Sequence, residues 1–218
     1  MPAHRSSQVD AAKLGEATLQ TKEFKQVLSA MERIVVQNIY HQQQMLYRNM
    51  ISPDLPGSAE QALVGSQKGR MQVLWTYECD LSKGRNVSCM AWNNLNPDLL
   101  AVGYGEFDFN RQGDGLVLFW SLKNPEYPQR VYRTECSVTS LAFANKSYNL
   151  LAVGLYDGTV AVYDVRKEED KPVLESSYNG GKHSDSVWEV RGCRSRALPP
   201  SPPTLSSAFL AHHPPFLR

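Results

Sequence analysis

Hydrophobic positions follow a helical spacing in the first part of the chain. The stretch 18–50 contains neither Gly nor Pro. Five apolar residues in it lie three or four positions apart and so share one stripe of an α-helix: Phe24, Leu28, Met31, Val35 and Ile39. Thr18 or Thr21 is suited to cap the start, and Pro53 disfavours helical angles at the residue before it. The pattern predicts an amphipathic helix over residues 18–51.

An apolar stripe on a helix of this length has to be covered, because exposed apolar surface promotes association. Two alternatives remain open from the sequence. Either the stripe packs on the side of its own domain, or it receives another subunit. We expect residues 1–17 to be disordered and residues 52–70, which contain Gly, Ser and Pro, to form a linker.

Further along the chain, hydrophobic residues form short unbroken runs, and one run occurs twice. The letters LLAVG stand at residues 99–103 and 150–154, an offset of 51. Upstream the match continues without a gap, with Val87, Met90, Ala91, Trp92 and Asn94 opposite Val138, Leu141, Ala142, Phe143 and Asn145. Downstream the offset falls to 43, so the first copy carries eight additional residues. A third copy begins at His183, with Val187 and Val190 in matching places.

Each unit consists of short apolar runs separated by Asn-Pro-Asp, Gly-Asp-Gly or Asp-Gly, which is the pattern of strands joined by tight turns. The runs LLAV and LVLFW are apolar throughout, as in strands covered on both faces. A period of about 43 residues with four strands per unit is typical of WD40 repeats. The sequence predicts a mainly β fold: a strand over 71–77 leading into an incomplete propeller over 71–191, with about two four-stranded blades plus one strand.

Several positions resemble the WD40 pattern more closely. Trp120-Ser121 and Tyr163-Asp164 stand where the Trp-Asp dipeptide of that family ends the third strand, and His183 stands in the place of its Gly-His element. Trp-Asp itself never occurs, and neither earlier unit has the His, so we expect the hydrogen-bonded network that links typical blades to be incomplete. The residues expected to hold the repeat together are Trp92, Trp120, Phe143, Tyr163, Asp164 and His183.

The repeat stops after residue 191. Six of the 13 prolines fall in residues 192–218, together with several serines. This composition predicts a disordered tail that forms no ladder strands. We interpret it as the end of a truncated or alternatively spliced form. Because a closed propeller has about four to eight blades, we also expect the isolated chain to be partly open.

Charge, cysteine content and loop sequence limit the kinds of ligand and chemistry to expect. Lys and Arg number 23 against 22 Asp and Glu, which gives no reason to expect nucleic acid or an anionic membrane. The four cysteines form no CxxC pair, so neither a zinc site nor a disulfide framework is indicated. The segment GYGEFD is a poor dinucleotide loop, because Asp108 replaces the third Gly and a strand follows it. We predict no enzyme activity and no catalytic, cofactor-binding or metal site.

The eight additional residues lie in the loop 105–115, between the second and third strands of the first unit. Loops on a rigid scaffold commonly carry binding residues, and aromatic residues with Arg are frequent interface anchors. The loop contains such a set: Phe107, Asp108, Phe109 and Arg111. Either this set contacts a partner protein, which we favour, or the two phenylalanines fold back as a local plug.

Several longer strings resemble the axonemal dynein intermediate chain family, and its inner-arm member above all. They include LWTYECDLSKGRNVSCMAWN (74–93), NPDLLAVGYGEFDF (96–109) and GKHSDSVWEVR (181–191), and the resemblance runs from about residue 20 to residue 191. It implies a non-catalytic subunit of a motor complex in the cytoplasm and cytoskeleton, at the axoneme of a cilium or flagellum. The implied partners are a dynein heavy chain, dynein light chains and another intermediate chain. The alternative is a WD40 adaptor unrelated to dynein, such as a substrate receptor in protein modification.

Overall fold

The computed structural model describes residues 15–50, 73–106, 113–145, 147–167, 169–178, 181–192 and 209–212. The chain divides into two compact units, Met1–Thr76 and Tyr77–Arg218. Among the described residues, the helices lie in the first unit and the strands lie in the second.

The predicted amphipathic helix is present, but it is interrupted once and ends early. Helix α1 spans Lys22–Ile39 and helix α2 spans His41–Tyr47, with Tyr40 between them. Of the two predicted caps, Thr21 is the one used, and its side chain accepts a hydrogen bond from the amide of Phe24 at 3.4 Å.

The C-terminal end of α2 differs from the prediction for a local reason. Asn49 has a φ of 54°, in the left-handed region that Asn tolerates better than most residues. The amides of Asn49 and Met50 donate to the carbonyls of Leu46 and Met45, at 3.0 and 2.9 Å. These two bonds form a Schellman motif, which satisfies the last carbonyl groups of a helix. The helix is therefore ended by Asn49, before Pro53 has any influence.

The second unit confirms the mainly β prediction. Two antiparallel sheets of four strands each follow the chain in simple meander order, as two blades, and a two-stranded sheet follows them. Blade 1 contains β1 Asn86–Trp92, β2 Leu99–Gly105, β3 Gly115–Ser121 and β4 Arg130–Thr134. Blade 2 contains β5 Val138–Phe143, β6 Leu150–Leu155, β7 Val160–Asp164 and β8 Leu174–Glu175.

The two blades are copies of each other down to their irregularities. The pairing of β1 with β2 has a bulge between Val87 and Cys89, and the pairing of β5 with β6 has one between Val138 and Ser140. Leu100 pairs with Trp120 in blade 1, and Leu151 pairs with Tyr163 in blade 2. Both correspondences follow the offsets of 51 and 43 found in the sequence. The repeated letters therefore encode a repeated register.

The core between the blades is built on aromatic rings. Phe119 and Tyr132 of blade 1 contact each other edge to face, with ring centroids 5.1 Å apart. Tyr132 stacks on Tyr163 of blade 2 at 4.8 Å, and Phe119 lies 6.5 Å from Phe143. All four side chains are buried in one cluster. Offset and edge-to-face pairs add to the free energy gained from burial alone.

The outward face of blade 1 is covered by the segment that leads into it. Tyr77, Cys79 and Leu81 pack against a buried cluster on β2 and β3 that includes Trp120. Residues 73–79 have no strand hydrogen bonds, so the strand predicted over 71–77 is wrong for 73–77. Residues 71 and 72 lie outside the described part.

The third unit contains one strand that was predicted and one that was not. Its first strand, β9 Glu189–Gly192, begins six residues after His183. Val190 on this strand and Val187 just before it cover blade 2. Strand β9 pairs with β10 Phe209–His212, which lies in the tail predicted to be disordered. That prediction is wrong for these four residues, because the stretch FLAH lacks proline and β9 offers it an open edge.

Polar side chains join successive units at equivalent places. The Asn94 Nδ2 donates to Asn145 Oδ1 at 3.2 Å, and Asn145 Nδ2 donates to the carbonyl of Gly192 at 2.9 Å. Asn94 and Asn145 are 51 residues apart, so the equivalent asparagine of each unit reaches the next unit.

A second kind of polar contact holds each Asp-Gly turn. Arg85 donates to the carbonyl and carboxylate of Asp114, and Lys182 forms an ion pair of 2.8 Å with Asp157. Burial raises the pKa of Asp157, but the hydrogen bonds from Lys182 and Thr159 outweigh it and leave that pKa below its ordinary value of 3.8.

Gly105→Ala tests how closely the blades approach. A Cβ at Gly105 would lie 2.7 Å from the carbonyl oxygen of Val138 in blade 2, so backbone would have to shift. We expect the free energy of unfolding to fall by about 1–3 kcal/mol in urea titrations. Gly15→Ala is the matched control, since a Cβ there meets nothing within 4 Å. An equal effect of both variants would contradict the tight junction.

The Asp157 ion pair gives a pH-dependent prediction. A carboxyl whose pKa is lowered by folding stabilises the protein above its ordinary pKa, and this contribution is lost as the pH falls through the folded-state pKa. The cost of Asp157→Asn should therefore be largest at neutral pH and should shrink below pH 3.8. Urea unfolding across this range measures it, with the exposed Asp170→Asn as a control for the lost charge. A cost that is independent of pH would be inconsistent with the ion pair.

Candidate protein-binding surfaces

The apolar stripe of α1 is exposed. Leu28, Met31, Val35 and Ile39 are each more than half exposed, and Phe24 is about one-third exposed. The sequence analysis missed Val27 and Ile34, which are also more than half exposed and widen the stripe on one side. Their separation of seven residues is the signal that identifies them. We call these seven side chains the helix stripe: Phe24, Val27, Leu28, Met31, Ile34, Val35 and Ile39.

The helix buries a different side chain. Val36 is the buried residue of α1, and it lies outside the predicted stripe. In α2, Tyr47 packs against Trp75 of the same unit, with ring centroids 5.7 Å apart. The helices thus have an inward side of their own, and the helix stripe remains available to another surface.

The predicted loop residues Phe107, Asp108, Phe109 and Arg111 lie outside the described residues. The two ends of their loop are described, and one side chain holds both. The Ser137 hydroxyl accepts from the amide of Glu106 at 3.2 Å and donates to the carbonyl of Gly113 at 3.4 Å. Ser137 is buried and directly precedes β5. The loop therefore starts and ends at the junction between the blades.

The Arg85 contact strengthens this loop base. Its guanidinium donates to Asp114 Oδ2 at 2.8 Å and to the Asp114 carbonyl at 2.9 Å. The hydrogen bond from Arg85 lowers the pKa of the Asp114 carboxyl, so the carboxyl is ionised at neutral pH. Both described ends of the loop are therefore fixed at the junction between the blades.

The structure separates the six predicted repeat residues into different environments. Trp120 is fully buried beside Tyr77, with ring centroids 5.3 Å apart, and Phe143 and Tyr163 lie in the core between the blades. Trp92 is half exposed, although it is the sequence equivalent of Phe143. Asp164 accepts hydrogen bonds from the side chain and amide of Arg166, which hold its pKa well below the ordinary value.

His183 reaches blade 2 through its main chain. Its amide donates to the carbonyl of Gly158 at 3.1 Å, while the neighbouring Lys182 provides the side-chain contact to Asp157. Sequence reasoning missed Lys182 and Arg85. The available signal is that each basic residue stands ahead of the first strand of a unit and that the first two units each have an Asp-Gly turn. Arg85 contacts the turn of the unit that follows it, whereas Lys182 contacts the turn of the preceding unit.

Cysteine and acidic side chains are the groups of the described ranges that bear on reactive or metal chemistry. Burial raises the pKa of the Cys89 thiol to about 11, so it stays protonated at neutral pH. Within those ranges no group of three or more His, Cys, Asp or Glu side chains is arranged to hold a metal ion. Nor does any described helix have the length and apolar character that crossing a bilayer requires.

Comparison with known proteins gives a consistent set of relatives, although no family model matches the chain. Dynein axonemal intermediate chain 4 of Xenopus laevis is 43% identical over 180 residues, which covers 81% of this chain and 24% of that protein. Its Danio rerio counterpart is 41% identical, over 79% of this chain and 23% of that protein. The 78 kDa flagellar outer arm dynein intermediate chain of Chlamydomonas reinhardtii is 38% identical, over 79% and 24%.

The chain thus spans about a quarter of the length of these relatives. Among solved structures, a chain of the mitotic checkpoint complex matches 50% of this chain at 20% identity, with a TM-score of 0.40. The fold itself is established by the strand order and pairing described above. The sequence identity to proteins named as intermediate chains extends over about four-fifths of this chain. This chain is a member of the dynein intermediate chain family.

Proposed function

We propose that this chain is a non-enzymatic scaffold subunit of an axonemal dynein, located at the axoneme of a cilium or flagellum. The observation that carries the proposal is the identity of 43% over 81% of this chain to a dynein axonemal intermediate chain. The exposed helix stripe supports it, because apolar surface of this kind is suited to binding other proteins. The loop held by Ser137 supports it through its sequence, which contains two phenylalanines and an arginine. Scaffolding needs such surfaces and no reacting group.

We further propose a separate partner for each surface. The helix stripe is a continuous apolar strip of a kind that docks into a groove of another subunit, and we assign it to a dynein light chain. The described ends of the loop 105–115 meet at the junction between the blades, and we assign the loop to the tail of a dynein heavy chain. Another intermediate chain is the third proposed partner.

Affinity purification of the tagged full chain from ciliated cells tests the function. Recovery of a dynein heavy chain together with light chains supports the proposal. The alternative of a WD40 adaptor in protein modification predicts different partners and immunostaining outside cilia. That result in a ciliated cell would overturn the dynein assignment.

The loop assignment predicts the effect of replacing both phenylalanines. Phe107→Ser with Phe109→Ser removes the two aromatic anchors, and we expect at least tenfold lower recovery of heavy chain in pull-downs. Light-chain recovery and the thermal melt should stay unchanged. Unchanged heavy-chain recovery would refute the assignment of this loop.

The helix stripe predicts the complementary result. Leu28→Lys with Val35→Lys places two charges on the stripe, and we expect light-chain recovery to fall at least tenfold while heavy-chain recovery persists. Gln37→Lys is the matched control, because Gln37 is exposed on α1 away from the stripe. Circular dichroism checks that helix content is the same in all three proteins. Equal light-chain recovery from both variants would rule out the stripe as the contact.

A further inference from the structure

The tail strand β10 pairs with β9 in the register that the first two strands of a blade use. Val190 is the third-unit equivalent of Leu141 in blade 2. Leu141 pairs with Val153 on the second strand of that blade, and Val190 pairs with Ala211. Both pairings are antiparallel. Strand β10 therefore takes the place of the second strand of a blade.

This pairing covers an edge of β9 that otherwise exposes unpaired backbone groups. In the blades, β2 and β6 cover the corresponding edges of β1 and β5. In the third unit, β9 and β10 form a two-stranded sheet. An uncovered strand edge is a ready template for pairing with another chain. The tail segment thus closes a site of potential association.

The edge of β9 is complementary to the same edge of a second copy. In an antiparallel pair centred on Val190, Glu189 of each copy lies opposite Arg191 of the other. Opposite charges that face each other across an antiparallel pair stabilise it. The Glu189 side chain is 48% exposed and the Arg191 side chain 67%, so both are accessible. A self-complementary edge of this kind is what a symmetric dimer contact requires.

The outer edge of β10 is poorly suited to the same association. The strand has four residues, and Pro214 and Pro215 follow it after His213. Proline donates no hydrogen bond to a strand ladder. Short edge strands and edge prolines are two means by which proteins prevent edge-to-edge pairing. Strand β10 therefore covers an edge that can pair and presents one that pairs less readily.

We propose that residues 209–212 form an autoinhibitory strand, which prevents β9 from pairing with β9 of a second copy of the chain. Because the strand belongs to the same polypeptide, it competes at a high effective concentration. Loss of the strand converts β9 into a symmetric dimer contact. This contact uses neither the helix stripe nor the loop 105–115, so it goes beyond the proposed dynein contacts.

Proline substitutions in the recombinant full chain test the contact. Leu210→Pro with Ala211→Pro removes two successive amides, one of which faces β9 because amides alternate in direction along a strand. In hydrogen exchange at low protein concentration, we expect residues 189–192 to exchange at least tenfold faster than in the unsubstituted chain. Their protection should return as the concentration is raised, because a second copy then covers them.

A matched control separates this effect from a general effect of proline. Leu205→Pro with Ser206→Pro makes the same number of substitutions in the tail outside β10, and its exchange should match that of the unsubstituted chain. Exchange of β5, β6 and β7 reports whether blade 2 stays folded. Unchanged exchange of residues 189–192 in the β10 variant would overturn the proposal. Fast exchange of these residues at every concentration would overturn it too.

The charge pair identifies the register of the dimer contact. Adding Arg191→Glu to the β10 variant places like charges opposite each other, and we expect it to abolish the return of protection at high concentration. In the chain with an intact β10, Arg191→Glu should leave the exchange of residues 189–192 independent of concentration. Protection that still returns in the combined variant would refute pairing between two β9 strands.

Discussion

The contact between the two blades is the interaction on which the rest of the structure depends. The central strands of each four-stranded sheet are apolar on both faces. Such a sheet is stable only when both faces are covered by other parts of the protein. Phe119 and Tyr132 meet Phe143 and Tyr163 across this contact and exclude water from one face of each blade. The segment with Tyr77 and the strand β9 then cover most of the two outer faces.

Polar contacts fix the alignment that the aromatic packing alone would leave loose. Apolar burial has no preferred direction, whereas a hydrogen bond requires a particular donor and acceptor within about 3.2 Å. The asparagines at positions 94 and 145 and the serine at 137 each reach from one unit to the next. Successive blades are thereby set in one rotational relation.

Much of this architecture is readable in the sequence because it is repeated there. The two offsets identified the repeated units, and the structure shows equivalent registers and bulges in them, since a repeated pattern of side chains selects a repeated pairing. The predictions fail where burial or strand formation depends on contact with another segment. Trp92 and Phe143 are equivalent in sequence, yet their exposure differs because only one of them has a blade against it. Composition alone suggested a structureless tail and missed Phe209–His212, which an open strand edge recruits.

In the helical unit, too, the prediction fails where the conformation of a neighbouring residue determines the structure. The spacing of apolar residues gave the stripe and the Thr21 cap, but the stop at Asn49 depends on a conformation that many residues would resist. The four predicted loop residues lie outside the described part, so the sequence remains the only guide to them.

The hydroxyl of Ser137 also has an evolutionary meaning. Because it ties residues 106 and 113 to the same point, the strands on either side are aligned independently of what lies between. Chain closure becomes only slowly less favourable as a loop grows. Relatives can therefore lengthen, shorten or rewrite this segment without disturbing the sheet, and selection for a new binding partner can act there at little risk to folding.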